Sequence, residues 1–253
     1  MQHTDNMARK VAFITGGAGG LGQAMAEAFA ADGAGVAVAD LPERSGELDA
    51  IAARLPRAVG VGLDVRDPAS IQRAVQTAAE RLGSVDVMVC NAGLNVRKPA
   101  LEVTAADWDT VLDVNLRGVF FSAQAGAAQI VRQGSGGKIV SIASIMGLVG
   151  SAGSSVAYCA SKAGVVNMTR ALAIEWAAHG IQVNAVAPTY VRTPLTAGIF
   201  ENEAYLQRVL ASTPNGKLAT PESIADAVVF LASSRADMIT GTTLPVDGGW
   251  TAW

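Results

Sequence analysis

Val11-Ala-Phe-Ile-Thr-Gly-Gly-Ala-Gly-Gly-Leu-Gly22 decides how the rest of this chain is read. A short run of apolar and β-branched residues feeds directly into a glycine-rich turn, and a helical pattern over Leu21–Asp32 follows at once. Glycine lets backbone come close to a pyrophosphate, while the free amides and positive dipole end of an opening helix favour its charge. Gly16, Gly19, Gly20, Leu21 and Gly22 are therefore candidate phosphate-binding residues. A glycine loop alone is a weak signal. Its context here, strand before and helix after inside a βαβ unit, is what gives it weight.

Working outward, short apolar runs alternate with helical patterns almost to the end. Val11–Thr15, Gly35–Asp40, Ala58–Leu63, Val85–Cys90, Lys138–Ile142, Ile181–Val186 and Thr242–Val246 read as buried parallel strands. Helices are predicted over Leu21–Asp32, Gly46–Leu55, Pro68–Leu82, Thr104–Gln133, Val156–His179 and Pro221–Leu231. Asp67-Pro68 and Thr220-Pro221 each set a capping oxygen before a proline at the first helical position. Such alternation predicts an α/β fold: a doubly wound (Rossmann) parallel sheet with helices on both faces. No linker, repeat or low-complexity segment interrupts it, so residues 1–253 are expected to form one dinucleotide-binding and catalytic domain. The alternation breaks only from Thr189 to Pro214, which carries Pro194, Gly198 and an amphipathic stretch around Glu203–Leu210. This segment is expected to form a small lid over the substrate.

Asp40 closes the second predicted strand, 18 residues beyond Gly22. A carboxylate there can accept hydrogen bonds from an adenosine ribose and would repel an added 2′-phosphate. Asp40 and Leu41 are thus expected at the cofactor's ribose. No Arg or Lys lies in the glycine loop or directly after Asp40, Arg44 being the nearest. NAD is accordingly preferred over NADP.

Composition narrows the classes further. Half of the 253 residues are hydrophobic and 16% charged, so the chain can build a substantial core. A net charge of −3 without a basic run argues against a nucleic-acid partner. His3 and His179 are the only histidines, which nearly excludes a histidine triad or a zinc site, and no metal is expected. Cys90 and Cys159 are expected to stay reduced. The stretch from Ile139 to Val166 is broken by Ser, Gly and Lys162 and does not read as a membrane span. The polar Met1–Lys10 segment contains no signal-like apolar run, so a soluble cytoplasmic protein is expected.

Within Tyr158-Cys-Ala-Ser-Lys162 the phenol and the ammonium are four residues apart, and on a helix they share a face. A phenol with a reference pKa of about 10 is a poor base, and a nearby cation favours its ionised form. Such a pair is usually ordinary helix surface. Its position downstream of a nucleotide loop gives it meaning.

These motifs together resemble the short-chain dehydrogenase/reductase family over essentially the whole chain. The pattern Gly16, Gly20 and Gly22 matches, followed in order by Asp64-Val65, Asn91-Ala-Gly93, Asn115, Ser144 and Tyr158-Cys-Ala-Ser-Lys162. Asn184-Ala-Val-Ala-Pro188 and the terminal Val246-Asp-Gly-Gly249 complete it. The resemblance implies that Asp64 and Val65 contact adenine, and that Asn91, Ala92 and Gly93 border the cofactor. It further implies that Pro188, Val191 and Thr193 lie at the nicotinamide, Val191 through its backbone. Two departures stand out. Thr189 replaces the usual glycine, and Ser144 lies 14 residues before Tyr158 where 13 is usual, with Ser141 as a rival serine.

By the same resemblance, hydride passes between a secondary alcohol and the nicotinamide. Tyr158 would act as acid/base, Lys162 would lower the phenol pKa and grip the ribose, Ser144 would orient the substrate oxygen. Asn115 would kink its helix and hold a water against the lysine. The substrate pocket is expected from Asn95, Met146, Ser154, Thr189 and Tyr190, with Leu94, Ile145, Ser155 and the lid near Ile199–Leu206 around it. Their hydroxyls and amides favour a polyol, sugar or sugar acid, as does the tail Gly248-Gly-Trp-Thr-Ala-Trp253. Trp250 and Trp253 suit plain packing equally well as contact with a neighbouring subunit. The alternatives are a 3-oxoacyl-thioester reductase and, from another class, a non-catalytic nucleotide sensor. A homotetramer is implied, paired through the helices after Thr104 and Val156.

Overall fold

Strands that read as nearly continuous apolar runs need cover on both faces, and they receive it in the computed structural model, which describes residues 7–150, 155–193, 196, 198 and 200–252. Seven strands form one sheet: Val11–Thr15 (β1), Gly35–Asp40 (β2), Ala58–Gly62 (β3), Val87–Cys90 (β4), Gly137–Ile142 (β5), Ile181–Pro188 (β6) and Thr243–Val246 (β7). Their order is β3-β2-β1-β4-β5-β6-β7, and every pairing is parallel.

Alternate residues serve opposite layers. Phe13, Met88 and Ile139 point to one face, against Pro68–Leu82 (α3), Val119–Gln133 (α5) and Val156–Trp176 (α6). Ile14, Val38 and Val140 point to the other, against Gly20–Ala31 (α1), Ser45–Ala52 (α2) and Pro221–Ala232 (α8). The predicted doubly wound sandwich is the one observed. Both predicted proline-led caps operate: Asp67 accepts from the Ala69 amide at 2.9 Å, and Thr220 from the Ser223 amide at 3.2 Å.

One expectation is corrected. Thr104–Gln133 is not a single regular helix. Ala105–Leu112 (α4) starts with a reciprocal Thr104–Asp107 capping box, and a π-helical turn at Asp113–Gly118 separates it from α5. The cause is local. The Asn115 amide turns away from helix-surface work and pairs with the Leu94 backbone in both senses, Nδ2 donating to its carbonyl at 2.8 Å and Oδ1 accepting from its N–H at 2.9 Å. A widened turn accommodates that commitment.

In the expected lid region, Glu203–Ala211 (α7) is capped by Asn202 and matches the amphipathic stretch. Ser154, Pro194, Ile199 and Trp253 lie outside the described residues. No helix among the described residues is long and apolar enough to cross a membrane.

Candidate active site

The strand order reverses between β1 and β4, and the loops leaving their C-terminal ends part there to open a crevice. A cavity of about 1400 Å³ occupies it. Thr15 and Asn91 stitch its base. The Thr15 hydroxyl accepts from the Asn91 and Ala92 amides at 2.9 and 3.0 Å, and Asn91 Nδ2 donates to the carbonyls of Thr15 and Gly16, both at 2.9 Å. Gly16, Gly19, Gly20, Leu21 and Gly22 line one end, with Ala92 and Gly93 beside them. Gly19 caps α1 but supplies no side-chain acceptor, and the first turn holds no acid. The opening amides of α1 are thus left for an outside anion, as a dinucleotide pyrophosphate requires.

Asp40 and Leu41 line the same end. Asp40 accepts from the Ala18 amide at 3.1 Å and the Leu41 amide at 2.8 Å. Arg44 is closer than its sequence distance suggested. Its guanidinium is 3.1 Å from Asp40 Oδ2, 2.6 Å from Glu47 Oε2, and donates to the Ala18 carbonyl at 3.0 Å. Asp64 and Val65 form the adjoining wall. Arg66 grips the Asp64 carboxylate at 2.7 Å, and that hydrogen bond holds it below the usual carboxylate range.

At the centre, α6 carries Tyr158 and Lys162 on one face while β5 delivers Ser144. The Ser144 hydroxyl accepts from the Met146 amide at 3.1 Å, capping a 3-10 turn at Ile145–Gly147, and lies near enough to the Tyr158 phenol to pull its pKa down. Lys162 is 3% exposed; its Nζ donates to the Ile142 carbonyl at 2.6 Å and lies 5.6 Å from the Tyr158 ring centroid. Ser144, Tyr158 and Lys162 all line the cavity. Asn115 stands behind them, fully buried.

Two opposed influences act on the phenol: burial, the larger, raises the Tyr158 pKa above its usual value, while Ser144 and, more weakly, the charge of Arg97 pull it down. Burial also pushes Lys162 itself down to about 8.

Pro188, Thr189, Tyr190, Val191 and Thr193 follow β6 into the cavity, facing Asn95 and Met146. Thr196 donates to the Val191 carbonyl at 2.5 Å and to the Thr193 carbonyl at 3.2 Å. Asn95 Nδ2 donates to the Ser155 hydroxyl at 3.1 Å. The Tyr190 and Tyr205 hydroxyls are 2.9 Å apart, tying α7 to the strand end. The Trp250 ring packs 5.4 Å from that of Tyr190, centroid to centroid, within the same chain.

A family model of the short-chain dehydrogenase/reductases, described as enoyl-(acyl carrier protein) reductase, matches residues 16–251. The chain is 39% identical over 244 residues to the 2-dehydro-3-deoxy-D-gluconate 5-dehydrogenase of Escherichia coli, covering 96% of each chain. It is 41% identical to the D-threitol dehydrogenase of Mycolicibacterium smegmatis, covering 96% of this chain and 93% of the relative. A solved structure from Agrobacterium tumefaciens, a candidate 2-deoxy-D-gluconate 3-dehydrogenase with bound NADP, superposes with a TM-score of 0.89 at 38% identity over 100% of both chains. This chain belongs to the short-chain dehydrogenase/reductase family.

As a short-chain dehydrogenase/reductase it is an oxidoreductase acting on CH–OH groups. Two residues at the site, Ser161 and Arg97, were not singled out from the sequence, whereas Tyr205 falls in the expected lid. Ser161 receives Asn115 Nδ2 at 3.3 Å and donates to the Tyr158 carbonyl at 2.7 Å, linking the π-turn to the Tyr158 turn of α6. Tyr205 and Arg97 line the cavity. Arg97 had one available signal: it follows the C-terminal end of a central strand, where ligands of parallel sheets bind. Cys90 is inert by comparison, its thiol pushed up to about 12 by burial, and no disulfide joins it to Cys159.

Proposed function

We propose that this short-chain dehydrogenase/reductase uses NAD to move hydride between a secondary alcohol, namely a polyol, sugar or sugar acid, and its ketone, with Tyr158 as acid/base. The observation that carries this reading is the gathering of Ser144, Tyr158 and a buried Lys162 in one cavity with the start of α1, whose first turn has no side-chain cap. The dinucleotide supplies the hydride acceptor or donor when bound. Tyr158 takes the hydroxyl proton during oxidation and returns one to the alkoxide during reduction. Ser144, held by its turn, donates to the substrate oxygen and fixes its orientation. Lys162 brings a cation into a desolvated site, where charge acts strongly on the phenol as it ionises. Asn115 and Ser161 hold the backbone on which Tyr158 stands.

NAD is favoured over NADP by Asp40. The cation nearest to it, Arg44, is already shared between Asp40 and Glu47 and so leaves little positive charge for a 2′-phosphate. The hydroxyls of Thr189, Tyr190 and Tyr205, with the Asn95 amide, support a hydroxylated substrate. The test is reduction of NAD and NADP across polyols, aldonates and 3-hydroxyacyl thioesters. Turnover of the first two classes is expected, falling about 10²–10⁴-fold in Tyr158→Phe with folding unchanged. Turnover confined to thioesters would assign the acyl-thioester reaction instead, and no turnover of any class would leave a nucleotide sensor.

A further inference from the structure

Three arginines line the cavity, and two are already taken up by carboxylates: Arg44 by Asp40 and Glu47, Arg66 by Asp64. The third, Arg97, has neither an ion pair nor a hydrogen bond among the described residues. Its sequence neighbour Lys98 is held at 2.7 Å by Asp107 of α4, an ion pair in which Arg97 has no share. Asp109 and Asp113 also line the cavity, and neither pairs with Arg97.

Position defines which end of the cavity Arg97 serves. It follows Asn95 in the loop leaving β4, on the substrate side of the quartet, and its charge is felt at both Tyr158 and Tyr190. The adenosine end has its own two arginines. Two further polar atoms of the substrate end are buried and without a partner, Asn95 Oδ1 and Thr189 Oγ1. Both are sealed from the open cavity, so the exposed guanidinium is the group at this end that a ligand can meet. A free guanidinium in the same place is matched by a carboxylate, whose two oxygens fit its fork.

We propose that Arg97 is a specificity-determining residue that binds a carboxylate of the substrate. The preferred substrate class is then a hydroxylated acid rather than a neutral polyol. This rests on the dehydrogenase reading above and narrows it.

The experiment compares threonate, xylonate and gluconate, each with the alditol of the same carbon skeleton, in wild type, Arg97→Gln and Arg97→Lys. Arg97 is exposed, so its replacement leaves the fold intact, checked by melting temperature. Wild type is expected to favour the best aldonate over its alditol by about 30-fold in kcat/KM, the scale of one charge-assisted contact. Arg97→Gln should lose about that factor on the aldonate, mainly through KM, and little on the alditol, with Arg97→Lys between them. KM for the aldonate should also rise with salt in wild type and not in Arg97→Gln. Wild-type preference for alditols, or a loss in Arg97→Gln that is equal for both classes or absent, overturns the assignment while leaving the dehydrogenase reading intact. Failure of both classes with either dinucleotide overturns that reading, and this one with it.

Discussion

Lys162 is a lysine that the fold holds at a cost. Its ammonium is nearly sealed from water, with the Ile142 carbonyl as its hydrogen-bond acceptor, and its pKa is pushed down to about 8 from an ordinary 10.5. Between those values the unfolded chain binds the proton and the folded chain does not, so stability rises with pH across that window. Below pH 8 the full penalty, about 3 kcal/mol, weighs on the folded state; above 10.5 it is gone. Lys162→Met is therefore expected to gain most over wild type at pH 7, and its advantage to shrink by about 2–3 kcal/mol by pH 10. Paired urea unfolding curves at the two pH values read this directly, and a gap independent of pH would refute it. Tyr158 and Lys162 were legible because one helical turn sets their relation. Arg97 was not, since its meaning lies in having no partner among the described residues where Arg44 and Arg66 have theirs, and sequence cannot report a missing contact. The same limit hid the Tyr190–Tyr205 pairing, whose partners are 15 residues apart in sequence.

At the scale of elements, the 3-10 turn Ile145–Gly147 fixes Ser144 against α6. A Cβ on Gly147 would come within 2.7 Å of the Lys162 carbonyl carbon and oxygen, a conflict with backbone that no rotamer relieves. Gly147→Ala should push the turn off α6 and carry Ser144 with it, lowering kcat/KM about 10²-fold. Overpacking alone costs about 1–3 kcal/mol. Gly126→Ala is the control, because its Cβ would meet Met88 Cβ at 2.7 Å where α5 packs on the sheet, away from the Ser144 turn. It should lose similar stability and keep its specific activity at a temperature where it is folded. Equal activity losses in the two variants would show that the turn does not position Ser144. Sequence legibility followed the same division. Strands and capped helices emerged nearly at their true bounds because apolar periodicity, Asp67 and Thr220 mark them. The π-turn did not emerge from periodicity, since an inserted residue leaves the apolar pattern around Asn115 almost unchanged; the kink expected there came from the family resemblance, and the Leu94 backbone pairing gives its local cause.

Across the whole molecule, the two ends of the sheet have different work. At the N-terminal ends of the strands a smaller cavity of about 440 Å³ is bordered by the Lys10–Asp86 and Lys138–Asp237 pairs, at 3.1 and 2.6 Å, so its charges answer one another. At the C-terminal ends the first turn of α1 has no side-chain cap and Arg97 has no partner among the described residues, so binding partners come from outside. A ligand bound there adds to global stability by mass action, about 2.7 kcal/mol at a hundred times its Kd, which for a chain of this size is several degrees in Tm. NAD is therefore expected to raise Tm, and NADP at equal concentration to raise it less, because Asp40 meets the 2′-phosphate. Asp40→Ser removes that repulsion and frees Arg44 from one of its two carboxylates, so it should narrow or reverse the difference. Larger protection by NADP in the unaltered chain would overturn the NAD preference. It would leave the hydride chemistry untouched, since Ser144, Tyr158 and Lys162 stand apart from the Asp40–Arg44–Glu47 cluster at the ribose end of the same cavity.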